Sequence, residues 1–156
     1  MSTSKSFSNE TSARYARALF EVSIENSEID KIENNLNDFI NLYNSSSEFR
    51  NFIKNPTQNT ENQFNVINII SEKLSFSKNL KNFLSLLIEK KRIFFVYKIV
   101  QNFLRLCSKK RGEVNASLVS SKNLSQDELN NISADFSKSM GSIIKFDYSV
   151  DESLIG

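Results

Sequence analysis

SARYARALFEVSIEN, residues 12–26, reads as a helix with more apolar surface than one core can use. At about 100° per residue, its charged residues Arg14, Arg17, Glu21 and Glu25 fall within one wedge of roughly 80°. Ala13, Ala16, Phe20 and Ile24 occupy one side of the remaining arc; Tyr15, Ala18, Leu19 and Val22 occupy the other. An ordinary surface helix needs an apolar stripe of a little over 100°, and this arc is more than double that. Two readings follow. The helix is central and wholly enclosed by its own bundle, or one arc packs the core while the other lines a groove for a partner helix.

Working outward, the apolar spacing stays helical to about Arg111. Ile29, Ile32, Leu36, Phe39, Ile40 and Tyr43 mark a second helix, and the SSS at 45–47 interrupts it. Phe49, Phe52 and Ile53 mark a short third helix. It ends at Asn55-Pro56, because a residue before proline is pushed out of the α region. Thr60 and Gln63 have capping-box spacing ahead of Phe64, Ile67, Ile70 and Leu74. A fifth helix spans Ser77–Lys91, and its Leu80, Phe83, Leu84, Leu86, Leu87 and Ile88 spread over roughly 200°. A sixth runs from about Phe95 to Lys110, with Gly112 at the expected left-handed cap position.

Beyond Gly112 the period changes. Val114, Ala116 and Leu118 alternate with polar or smaller neighbours. Ser125 and Glu128 form a capping box that opens a helix through Leu129, Ile132 and Phe136 to Met140, closed by Gly141. Ile144, Phe146, Tyr148 and Val150 then alternate with polar partners as a strand. The expected fold is therefore mainly α. A disordered Ser-rich lead-in (1–11) precedes a six-helix bundle (12–111) and a small α/β strand–helix–strand unit (112–156), too short to bury a large core alone.

Composition removes most familiar chemistry. The chain has 156 residues, no His, no Trp, one Cys, one Pro and three Gly. Lack of His removes the neutral-pH proton shuttle and the commonest metal ligand. One Cys permits no intrachain disulfide, and glycines at 112, 141 and 156 cannot form a phosphate loop. No apolar run reaches the roughly 18–20 residues of a membrane span. Asp127-Glu128 sits in a first helical turn, Asp151-Glu152 at a strand end, and Cys107 on a core stripe with Val96, Val100 and Phe103. The expectation is no catalytic residue, no metal and no cofactor.

Charge divides along the chain. Residues 1–111 carry 17 Lys+Arg against 11 Asp+Glu, and residues 112–156 carry 3 against 7. Eleven of the cations fall in residues 73–111 with Glu89 as the sole acid there, including KKR at 90–92 and 109–111. Such a run fits a solvated, partner-facing surface, or phosphate contacts in an all-helical RNA-binding module like the NusB antitermination factor.

Several stretches in order resemble one family. ARYARALFEVS (13–23) resembles the opening helix of the delta subunit of bacterial ATP synthase, whose mitochondrial counterpart is the oligomycin-sensitivity-conferring protein. Asn55-Pro56 stands where that family breaks its third helix. NFLSLLIEKKRI (82–93), VSSKNLSQDEL (119–129) and VDESLIG (150–156) resemble later family segments. Lys90-Lys91 departs from the usual Asn-x, and Tyr97 stands where the family commonly has proline. The family normally continues past S-L-I-G with a Gly-rich strand pair, so the α/β unit is expected to be incomplete.

The resemblance implies a non-catalytic, structural subunit of the peripheral stalk (the stator) of a proton-translocating F1Fo ATP synthase. It is expected at the cytoplasmic face of the bacterial inner membrane, peripheral and not inserted. It implies two partners, the N-terminal helix of an alpha subunit, held between the first and fifth helices, and the b subunits, met by the C-terminal unit. Nucleic acid is not among them. The implied groove residues are Tyr15, Ala18, Leu19 and Val22 with Phe83, Leu84 and Leu87.

Overall fold

A computed structural model describes residues 2–154. Six helices come first: α1 (Ser2–Glu25), α2 (Ile29–Ser45), α3 (Ser47–Lys54), α4 (Thr60–Lys73), α5 (Lys78–Glu89) and α6 (Val96–Lys110). A 3-10 turn at Ile93–Phe95 leads into α6. Then follow β1 (Glu113–Ser120), α7 (Gln126–Met140) and β2 (Ile143–Val150). The chain divides into two compact units between Cys107 and Ser108, inside the last turns of α6 and slightly ahead of the boundary expected at Gly112.

The front of the chain differs from expectation. Residues 2–10 belong to α1, where a disordered lead-in was expected through residue 11. The segment holds no Gly or Pro to break a helix. Glu10 pairs with Arg14 at 3.1 Å, Ser12 Oγ donates to Ser8 O, and Lys98 Nζ of α6 donates to Ser8 Oγ at 3.0 Å and Asn9 Oδ1 at 3.3 Å. Of the stretch 150–156, Ile155 and Gly156 lie outside the described residues.

The core of the first unit forms where the apolar faces of all six helices meet. Phe39, Ile53, Ile67, Leu84 and Phe103, from α2 to α6, are closed to solvent. Ala16 and Leu19 bring α1 onto this core, and Phe20 meets Phe103 edge to face at 6.0 Å. Most caps follow the side chains available. Ser46, Ser77 and Ser125 each accept a backbone N–H of the first turn, and Ser125 with Glu128 completes a capping box. At α4 the cap is Asn59, whose Oδ1 accepts from Glu61 N, so Thr60 is the first helical residue and not the cap. The preceding asparagine reaches the free N–H groups first.

Three helix ends carry a feature that the sequence hides. Ser27, Ser75 and Lys91 adopt φ of 53°, 52° and 54°, the left-handed region usually given to glycine. Behind each, the chain folds back in the same way. Glu28 N reaches Ser23 O, Phe76 N reaches Ser71 O, and Arg92 N reaches Leu87 O, at 2.7–2.8 Å. These are the long hydrogen bonds of a Schellman turn, closing α1, α4 and α5. They fix where Glu28 and Arg92 leave their helices. The start of α5 is pinned as well, by Asn35 Oδ1 accepting from Ser77 N in the interior.

The second unit is a two-stranded parallel sheet with α7 between its strands in sequence, in register from Glu113↔Ile143 to Ser120↔Val150. Phe136 of α7 packs edge to face on Phe146 at 5.8 Å. Ser133 Oγ donates to Ile144 O while Ser137 Oγ accepts from Ile144 N, so two serines of the helix satisfy one strand residue. Among the described residues of this unit, Ile144 is the one buried hydrophobic, as the unit's small size dictates. Glu113, 7% exposed at its side chain, lies between Arg111 Nε at 2.8 Å and Lys145 Nζ at 3.0 Å.

Leu84→Ala should cost about 2–5 kcal/mol in denaturant unfolding, the usual loss for a fully enclosed leucine. Lys91→Gly should raise stability by roughly 0.5–1 kcal/mol, since glycine enters the left-handed region without a Cβ penalty. The Arg111 and Lys145 hydrogen bonds hold the Glu113 carboxyl down to about 2 from an ordinary 4.5. Its stabilising effect is complete above the ordinary value and is lost as pH falls through the folded one. Circular dichroism of the second unit should therefore weaken between about pH 4.5 and 2, and Glu113→Gln should remove that part of the acid dependence.

Candidate functional site

Two helices of the first unit each carry, at the border of the core, a stripe that the core takes up only in part. On α1 the stripe is Tyr15, Ala18, Leu19 and Val22; on α5 it is Asn79, Asn82, Phe83 and Leu86. Both follow i, i+3, i+4, i+7, the spacing that puts four side chains on one face of a helix. Together they line an open furrow of about 310 Å3. Leu19, 2% exposed, is its floor, while Val22 at 38% and Leu86 at 39% are its exposed apolar rims. Eight residues of helix, seven rises from first to last, give each wall a length of about 10 Å, roughly two helical turns.

The walls run antiparallel and are tied at both ends. Tyr15 meets Phe83 edge to face, with ring centroids 6.3 Å apart. Arg92, just beyond α5, donates from Nη1 to Tyr15 Oη at 2.9 Å and stands over the ring, 5.5 Å from its centroid. At the opposite end Asn79 Nδ2 donates to Glu28 Oε2 at 2.7 Å, just beyond α1. The residues placed by two Schellman turns thus close the two ends of the furrow.

Of the seven groove residues named from the sequence, Tyr15, Ala18, Leu19, Val22 and Phe83 line the furrow. Leu84 and Leu87 do not: both are fully enclosed and share the core arc of α5 with Leu80 and Ile88. Their place on the wall is taken by Leu86, with Asn79 and Asn82 as polar members. The i, i+3, i+4, i+7 spacing from Asn79 was the available signal; it selects Phe83 and Leu86 together.

The other candidates have ordinary structural roles. Glu128 completes the α7 capping box, and the Ser125 backbone N–H lowers its carboxyl below the usual range. Asp151 accepts from Ser153 N and Oγ, which lower it likewise. Cys107 is buried in the core. Among the described residues no group of three or more His, Cys, Asp or Glu stands together as a metal site, and no helix is long and apolar enough to cross a membrane. A larger cleft of about 510 Å3 is lined by Tyr43, Arg50, Lys54, Phe94, Tyr97 and Lys98 among others. Its cations are partly engaged within the fold: Arg50 donates to Tyr43 O and Asn44 O, and Lys98 to Ser8 and Asn9.

The first unit is thus a helical bundle with an open furrow between α1 and α5. Comparison with known proteins gives the family. Residues 11–156 match the ATP synthase delta (OSCP) subunit. The chain is 44% identical over 156 residues to ATP synthase subunit delta of Pelagibacter ubique, covering all of this chain and 84% of that one. It is 32% identical to the Dinoroseobacter shibae subunit over the same shares. A chain in the Toxoplasma gondii mitochondrial ATP synthase hexamer superposes with a TM-score of 0.73 at 22% identity. That match covers 90% of this chain and 77% of the other, and it shows a shared fold. The protein belongs to the ATP synthase delta (OSCP) family. It is a peripheral-stalk subunit of the F1Fo ATP synthase, non-catalytic and structural, in a complex that joins ATP synthesis to proton transport. As part of that complex it is peripheral to the membrane.

Proposed function

We propose that the α1–α5 furrow holds the N-terminal helix of an alpha subunit of the catalytic head, and that the unit after Cys107 faces the b subunits. The chain then ties the head to the stalk, at the cytoplasmic face of a bacterial inner membrane, and resists the torque of rotation. One observation carries this reading: two i, i+3, i+4, i+7 stripes on adjacent antiparallel helices line one open furrow whose apolar rims, Val22 and Leu86, are exposed. A third helix laid between them covers both stripes at once, in the manner of helix-in-groove recognition. The reading has no place for nucleic acid, because the furrow walls offer apolar surface and two asparagines, not a row of cations.

Holding against torque requires slow dissociation. A nanomolar complex corresponds to about −12 kcal/mol. Each large apolar side chain taken fully from water contributes roughly 1.5–3 kcal/mol. The partly exposed walls recover a share of that, and the apolar face of the incoming helix adds its own. Both shares must exceed the cost of association, about 4–15 kcal/mol.

A peptide of the alpha subunit's N-terminal helix should bind the full chain. Val22→Asp and Leu86→Asp should each lower its affinity at least tenfold, about 1.4 kcal/mol, with the circular dichroism of the free chain unchanged. Leu19→Asp is the poorer choice, since a charge on an enclosed floor would disrupt the bundle itself. Wild-type affinity in both rim variants would overturn the assignment.

A further inference from the structure

The furrow is electrically polar along its length. At its Tyr15 end stand Lys90 at the end of α5 and Arg92, bonded to Tyr15 Oη. Glu89 opposes them. At its Val22 end stand Glu25 at the end of α1 and Glu28 bonded to Asn79, opposed by Lys78 at the start of α5. Asp30 and Lys31, which open α2 beside Glu28, offset one another. One end is therefore basic and the other acidic. Arg92 and Glu28, both partly buried, are the charges hydrogen-bonded to wall residues.

Backbone dipoles do not set a direction here. α1 and α5 are antiparallel along the furrow, so their opposed macrodipoles largely cancel for a helix lying between them. Side-chain charge decides instead. An incoming helix carries partial positive charge on the free N–H groups of its first turn and partial negative charge on the carbonyls of its last.

We infer that the furrow fixes the direction of the helix it holds: N-terminus at the Glu28–Asn79 end, C-terminus at the Arg92–Tyr15 end, antiparallel to α1. This rests on the proposed occupancy of the furrow by an alpha-subunit helix. Its consequence is mechanical, because the direction of the helix sets the side from which the rest of the alpha subunit approaches and hence the line along which torque is transmitted.

The test uses the isotopically labelled full chain and the alpha-subunit peptide carrying a nitroxide at its first or its last residue. A label at the peptide's N-terminus should broaden the Val22 and Asn79 amide signals, and one at its C-terminus those of Tyr15 and Lys90. The reverse pattern overturns the stated direction while leaving the furrow assignment standing. Absence of binding overturns both. Independently, the double variant Glu28→Arg with Arg92→Glu should bind the peptide at least tenfold more weakly at low ionic strength. The difference should close as salt screens the ends. Unchanged affinity in a variant whose spectrum shows an intact fold would overturn the inference.

Discussion

Ala16 and Leu19 press one side of α1 against the bundle, and their burial fixes which of its side chains are left at the surface of the first unit. A helix has one circumference. With this arc against the core and Arg14, Arg17, Glu21 and Glu25 in water, Tyr15, Ala18 and Val22 sit at the border between them. They cannot turn inward without pulling Ala16 out, and they cannot be solvated without leaving apolar surface wet. α5 stands in the same position, because Leu80, Leu84, Leu87 and Ile88 claim the core and leave Phe83 and Leu86 on the border. The furrow is where two such borders meet.

Rigidity follows from how the ends of those helices are secured. The Schellman turns after α1 and α5 carry Glu28 and Arg92 back to the opposite wall, and each forms a side-chain hydrogen bond there. Asn35 fixes Ser77, the cap residue ahead of α5. A furrow whose walls are cross-tied at both ends would take up the proposed partner helix with little reorganisation, which preserves affinity that would otherwise be spent on ordering. That suits a stator, whose work is to hold and not to turn over.

Most of the architecture was legible in the residues. Helical periodicity to Arg111 and alternation after Gly112 gave the six helices and the strand–helix–strand unit, since both patterns record which side chains must leave water. On α1 the charged wedge marks the solvent side, but the two apolar arcs are not cleanly divided: Leu19, read on the groove arc, is buried in the core, and Ile24, read on the core arc, is 41% exposed. On α5 no such wedge exists. Leu84, Leu86 and Leu87 are chemically alike, and only the position of the core separates the two that are buried from the one that is not. The left-handed ends at Ser27, Ser75 and Lys91 were illegible for a different reason. Glycine is the residue that announces such a turn, and here tertiary hydrogen bonding imposes it on residues that disfavour it. The early start of α1 was only half hidden: the Glu10–Arg14 spacing is local, but the bonds from Lys98 come from far along the chain.

Side-chain footprinting by hydroxyl radicals tests the central claim most directly, comparing the free chain with the assembled synthase. The account predicts that Tyr15, Val22, Phe83 and Leu86 become protected on assembly, while Leu84 and Leu87 are unreactive in both states. Equal reactivity of Val22 and Leu86 before and after assembly would contradict it.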